Sequence, residues 1–109
     1  MATRRSDGHV MAYVMVPDRA TARAIARILV EGRLAASANL WPAESVYRWK
    51  GRVTEAREYV VVAKTRRGLA KRLIAAVRAA HPYEVPCIVT YAMDDALPAY
   101  AAWIDASTA

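Results

Sequence analysis

Val10-Met11-Ala12-Tyr13-Val14-Met15-Val16 is apolar at odd and even positions alike, and Pro17-Asp18 stops it. A strand that alternates buries one face, whereas a strand apolar on both sides belongs in the middle of a sheet. Tyr59-Val60-Val61-Val62-Ala63-Lys64 meets the same criterion. Two central strands are therefore expected, and the remaining segments have to be arranged around them.

Each central strand runs into a helical pattern. After Pro17, Asp18 stands where an N-cap belongs, Ala22, Ile25, Ala26 and Leu29 recur at helical spacing, Arg19, Arg23 and Arg27 face away, and Gly32 is the expected C-cap. The second helix is predicted over 66–81, with Leu69, Leu73, Ala76, Val77 and Ala80 inward and Arg67, Lys71, Arg72 and Arg78 outward. His81-Pro82-Tyr83-Glu84-Val85-Pro86 closes it: two prolines fix φ and remove two donors, so the helix ends at Ala80 or His81 and an extended segment starts at Pro86.

Between these units, Leu34 to Leu40 reads as a strand of small residues that Trp41-Pro42-Ala43-Glu44 interrupts. Ser45 to Lys50 alternates, with Ser45, Tyr47 and Trp49 on one face, and Gly51-Arg52 looks like a hairpin tip. Val53, Glu55 and Glu58 lie on the return arm. The last strand is predicted over 86–93, and Pro98 to Ser107 forms a short terminal helix or irregular cover.

The order is β-α-β twice. With right-handed crossovers this gives an α+β fold, the ferredoxin-like split β-α-β arrangement: a four-stranded antiparallel sheet with both helices on one face and an extended hairpin. The first and third strands are central in that topology, as their apolar character requires. Two helices cover one face only, so the other exposes apolar side chains beyond the few hundred Å² that soluble monomers show. Burying it against another copy is worth several kcal/mol at about 25 cal/mol per Å². A homo-oligomer is expected.

The 109 residues fit one domain over 9–109, with a disordered tail over 1–8. The seven-residue apolar segment after the tail is short for a signal peptide, no apolar run reaches membrane-spanning length, and a cytoplasmic location is expected. A single cysteine, Cys87, excludes an internal disulfide and a cysteine-rich zinc site. The net charge of +6 comes from 16 Lys and Arg against 10 acids, scattered along helical faces. It reads as a solvated surface rather than a phosphate track, so no nucleic-acid or membrane partner is expected.

Residues able to carry chemistry are few. There is no Gly-rich phosphate loop, and Ser37, Ser45 and Thr65 have no evident histidine partner, so an enzyme is not expected. His81 has two readings, a cap on the last turn of its helix or a metal ligand through neutral imidazole. Glu84 and Cys87 stand near it as an oxygen and a sulfur donor, but one His, one Glu and one Cys do not complete a tetrahedral site, which leaves a site shared between copies. Tyr47, Trp49 and Tyr83 are either interface packing or the lining of a pocket between copies, with Lys64 supplying a positive charge for an anion. An ion pair between Glu58 and Lys64 would make both structural.

Taken together, Pro17-Asp18, Leu34-Ala35-Ala36 with Asn39, Ser45-Val46-Tyr47-Arg48-Trp49, Glu58 with Lys64-Thr65, His81 to Pro86, and Tyr100 with Trp103 make the chain resemble the CutA divalent-cation tolerance proteins over about residues 10–107. That resemblance implies a ferredoxin-like homotrimer related in architecture to the PII signalling proteins, with the hairpin around residues 47–53 reaching a neighbouring copy. It also implies a link to copper and other divalent cations, with His81 as the first metal contact and Tyr47, Trp49, Lys64 and Tyr83 lining an inter-subunit cleft. Ser37 stands where many members carry cysteine, Cys87 where glutamate is usual, and Met15-Val16 where threonine precedes the first motif proline. Three functions compete: a trimeric metal-tolerance protein that binds copper or another divalent metal, a PII-like regulator that holds a small anionic ligand in its clefts and contacts a partner protein, and a purely structural trimer that scaffolds something else.

Overall fold

The computed structural model describes residues 8–109. The tail expected over 1–8 therefore lies, apart from Gly8, outside the described residues. The elements are β1 (His9–Val16), α1 (Arg19–Glu31), β2 (Ser37–Trp49), β3 (Arg52–Arg66), α2 (Ala70–Ala80), β4 (Ile88–Ala92) and α3 (Pro98–Ser107). The sheet order is β2-β3-β1-β4 with every pairing antiparallel, so the two continuously apolar strands are the central ones.

Local chemistry sets the ends of α1 as expected. Asp18 is extended and its carboxylate accepts from the Thr21 N–H at 2.8 Å. At the other end Gly32 N–H bonds Ile28 O at 3.0 Å. The chain then spends Leu34 and Ala35 on the carbonyl of Leu29, with Arg33 left-handed at φ 58°. That is why β2 begins at Ser37 rather than Leu34: the backbone donors of the first small residues are still finishing the helix.

Pro42 does not interrupt β2. This strand is the sheet edge and pairs with β3 alone, so one side of its backbone has no partner and a missing donor there removes no ladder bond. The hairpin tip is Lys50-Gly51, one residue earlier than predicted, with both residues at positive φ (50° and 78°), the backbone of a two-residue turn matched to strand twist. Arg66 belongs to β3, and Arg67–Leu69 form a 3-10 turn before α2. β4 begins at Ile88, not Pro86; its approach to β1 starts with Met15 N–H donating to Cys87 O at 3.2 Å.

The core lies between the sheet and α1 and α2. Ala12, Val14 and Val16 of β1 and Val61 and Ala63 of β3 meet Ala22, Ile25 and Leu29 of α1 and Leu73 and Val77 of α2, all buried. α3 packs against β3 with Ile104 buried. Its end is tied by Arg66 Nε donating to Thr108 Oγ1 at 3.0 Å and Arg33 Nη2 to Ala106 O at 3.1 Å. His9, the first residue of β1, meets the Asp105 carboxylate at 2.8 Å. None of the described helices is long and apolar enough to cross a membrane.

The opposite face of the sheet has no helix. Register puts Met11, Tyr13 and Met15 there, beside Val62 and Val60 on one flank and Tyr91 and Val89 on the other. Met11, Trp41, Val89 and Tyr91 remain exposed, while Val60, flanked by Met15 and Trp41, is buried. Beyond Tyr59 the β2–β3 hairpin has no third strand, so Ala43–Trp49 and Arg52–Glu58 form a two-stranded arm on a molecule 50 Å long.

Candidate functional site

The loop after α2 positions the site. Pro82 ends the helix at His81, whose backbone is extended (φ −91°, ψ 132°) and whose N–H still reaches Arg78 O at 3.3 Å. The imidazole does not cap its own helix. Nδ1 accepts the Tyr83 N–H at 3.1 Å and Nε2 lies 2.6 Å from Met15 O. A carbonyl accepts only, so the proton sits on Nε2 and the ring is the neutral tautomer, pinned between its loop and β1. Both nitrogens of this buried ring are engaged by backbone.

Tyr83 is fixed from several sides. Its ring leans against His81 with centroids 4.9 Å apart and the planes tilted by 48°, its carbonyl accepts from Arg78 Nη1 at 3.1 Å, and its hydroxyl donates to Glu58 Oε2 at 2.7 Å. Burial, then the hydrogen bond and charge of Glu58, push the phenol well above the ordinary tyrosine range. The Cys87 thiol, although the residue is exposed, is also raised, first by partial loss of water around it and then by Glu58. A buried carboxylate on β3 thus holds the loop to the sheet, and its charge is felt by both neighbours.

These groups border an open groove of about 990 Å³. Tyr13 and Met15 of β1, Tyr47 and Trp49 of the arm, and Tyr83, Glu84 and Cys87 beyond α2 line it. Tyr47 and Trp49 lie on the same side of β2 as Ala43, which pairs with Glu58, so the arm carries the helix-free face outward. A smaller groove of about 530 Å³ lies beyond Glu58, around Pro17, Pro42 and Tyr59.

Of the residues singled out in the sequence, Tyr47, Trp49 and Tyr83 meet in one groove, and Glu84 and Cys87 open onto it. Lys64 does not. It bonds Asn39 Oδ1 and pairs in register with Met11, four residues along β1 from Met15. The Glu58–Lys64 ion pair does not form, because six residues of strand separate the two by roughly 20 Å. His81, Glu84 and Cys87 do not gather into a ligand set: no three His, Cys, Asp or Glu among the described residues are placed to hold a metal ion. The groove-side role of Glu58 and the floor residues Tyr13 and Met15 were not legible in the sequence, since their partners come from distant segments.

An α+β sheet of this order with two helices on one face is the ferredoxin-like class. Residues 10–107 match the CutA1 divalent ion tolerance protein family, and the chain belongs to that family. It is 40% identical over 96 residues to the divalent-cation tolerance protein CutA of Thermus thermophilus, covering 87% of this chain and 93% of that protein. A CutA homolog of Danio rerio is 38% identical over 97 residues, 88% of this chain and 65% of the relative. The chain thus spans about two thirds of the length of that relative, and 53% of the Mus musculus CutA protein. The crystal structure of CutA1 from Oryza sativa superposes with a TM-score of 0.91 at 31% identity, covering 97% of this chain and 98% of that one.

Proposed function

We infer that this chain is a divalent-cation tolerance protein that works as a cytoplasmic homotrimer, binding a divalent metal, copper first, rather than catalysing a reaction. The metal reading comes from the family. The observation that carries the assembly is the helix-free face of the sheet and its continuation along the arm. Met11, Trp41, Tyr91, Val46 and Val53 are exposed there or on the arm's other side, and a two-stranded ribbon is marginal without support. A neighbouring copy supplies that support.

One chain does not offer a coordination sphere, so the ligands have to come from more than one copy. Glu84 and Cys87 are exposed at the groove and present an oxygen and a sulfur. His81 joins them only by releasing Met15 O or the Tyr83 N–H. The alternative of a small anionic ligand draws no support from a groove walled by carboxylates with Lys64 outside it. Light scattering at micromolar concentration is expected to give three times the 12.0 kDa chain mass. Copper titration followed by tryptophan emission is expected to saturate, and Cys87→Ser to weaken it more than His81→Ala. A monomer mass, or a copper response unchanged in both variants, overturns the reading.

A further inference from the structure

Charges that look scattered along the chain are gathered by the fold onto one layer. Arg19, Arg23 and Arg27 of α1 and Lys71, Arg72 and Arg78 of α2 are all exposed, and the two helices pack against each other on the sheet. Glu31 is the one acid in either helix. Outside these two helices the acids and bases of the described chain balance, so the helix layer carries nearly all of the +6. It lies on the side of the sheet away from the helix-free face, and a neighbouring copy seated on that face leaves it open.

The arrangement works against the helices that carry it. Arg19, Arg23 and Arg27 succeed one another at i,i+4 spacing, where like charges repel. Neither helix has an acid in its first turn, while Arg19, Lys71 and Arg72 stand in those turns, at the positive end of the helix dipole. Relief among the described residues is slight: Arg27 meets Glu31 at 2.5 Å, Arg78 donates to the Tyr83 carbonyl, and Asp18 is engaged by the Thr21 N–H. A helix face made only to be solvated alternates its signs. This one lacks its anions.

The residue types narrow the anion. Five of the six cations are Arg, whose planar fork takes two phosphate oxygens at once. Neither helix has an aromatic side chain, so the layer offers no ring for an unpaired base to stack on and none to anchor in a lipid interface. Neither has an Asn or Gln to read an adenine edge. A regular row of phosphates, with its bases turned inward, fits what is left.

We propose that the α1–α2 layer docks on the phosphate backbone of a nucleic-acid duplex, without regard to base sequence. The contact needs no metal and stands apart from the copper reading.

The test follows the fluorescence anisotropy of a short labelled duplex, as DNA and as RNA, titrated with the full chain in its native assembly and in EDTA. Saturable binding that ignores base sequence is expected, and tighter binding to either duplex supports the proposal and names its source. Raising NaCl from 50 to 200 mM should weaken binding about a hundredfold, the effect of about four phosphate contacts. Arg23→Gln and Lys71→Gln should each weaken it about fivefold and lower the salt slope by about one. Arg52→Gln removes the same charge from the arm and should change neither. Far-UV circular dichroism and light scattering certify each variant, and Arg19→Gln replaces any that misfolds. The proposal is overturned by absence of saturable binding at 50 mM NaCl, by an equal loss in Arg52→Gln, or by equal or tighter binding to the single strand, to polyglutamate or to phosphatidylserine vesicles. Because chelator is present throughout, none of these results bears on the copper titration.

Discussion

The two faces of one sheet differ more than their sequences do. Val14 and Met15 are neighbours on β1, yet Val14 packs among Ile25, Leu73 and Val61 while Met15 floors an open groove. The helix face is filled by small and branched side chains that interdigitate to leave almost no exposed area. The other face carries the larger Met, Tyr and Trp side chains and leaves many of them partly in water. A single chain finishes one core and only begins the second, which is the physical case for self-association.

Substitutions on the two faces should separate stability from assembly. Leu73→Ala on the finished face opens a cavity and is expected to cost about 2–5 kcal/mol in urea unfolding. Next in size is the clasp that ties loop to sheet. Tyr83→Phe leaves the buried Glu58 carboxylate without its donor and should cost about 1–3 kcal/mol, more than an exposed tyrosine would. An intact protein with wild-type stability would show that the clasp is ornamental to folding.

Tyr91→Ala on the unfinished face should change the stability of the folded chain by less than about 1 kcal/mol, since the ring is 56% exposed. The same change is expected to lower the mass seen by light scattering. If it instead destabilises the chain as Leu73→Ala does, the distinction between the faces collapses.

The clasp also has a pH signature. The Tyr83 phenol is raised above the ordinary 10.0, so the folded state holds a proton that the unfolded chain releases. Its contribution is complete below about pH 10 and is lost as pH rises beyond that. Wild-type stability should therefore fall more steeply than that of Tyr83→Phe above pH 10, measured by urea unfolding. The smallest effect is expected at Asp18, whose carboxyl is held below its ordinary value by the Thr21 N–H. Asp18→Ala should lower the unfolding midpoint slightly at neutral pH, and the gap between variant and wild type should close as pH falls through the aspartate range, because the depressed group loses its contribution on protonation.

Much of this architecture could be read directly. Apolar character on both sides of Val10–Val16 and Tyr59–Ala63 marked the central strands, and Asp18, Gly32 and Pro82 marked helix ends through local backbone chemistry. Pro42 misled, because a proline breaks a ladder only where its nitrogen faces a partner, and edge position is a property of the sheet. The site was half legible. Tyr47, Trp49 and Tyr83 do converge, but Lys64 stands opposite Met11 and bonds Asn39, a distance along the strand that no local pattern encodes.

Periodicity and capping are encoded within a few residues of each other, so the sequence alone determined the elements, their order and the family to which the chain belongs. The bonds that make the groove span far longer separations: His81 reaches Met15 across 66 residues, and Tyr83 reaches Glu58 across 25. No local pattern specifies such partners. Only the packed sheet brought a buried carboxylate, a pinned imidazole and two unstacked rings to one place, because side-chain chemistry depends on what the fold sets beside it.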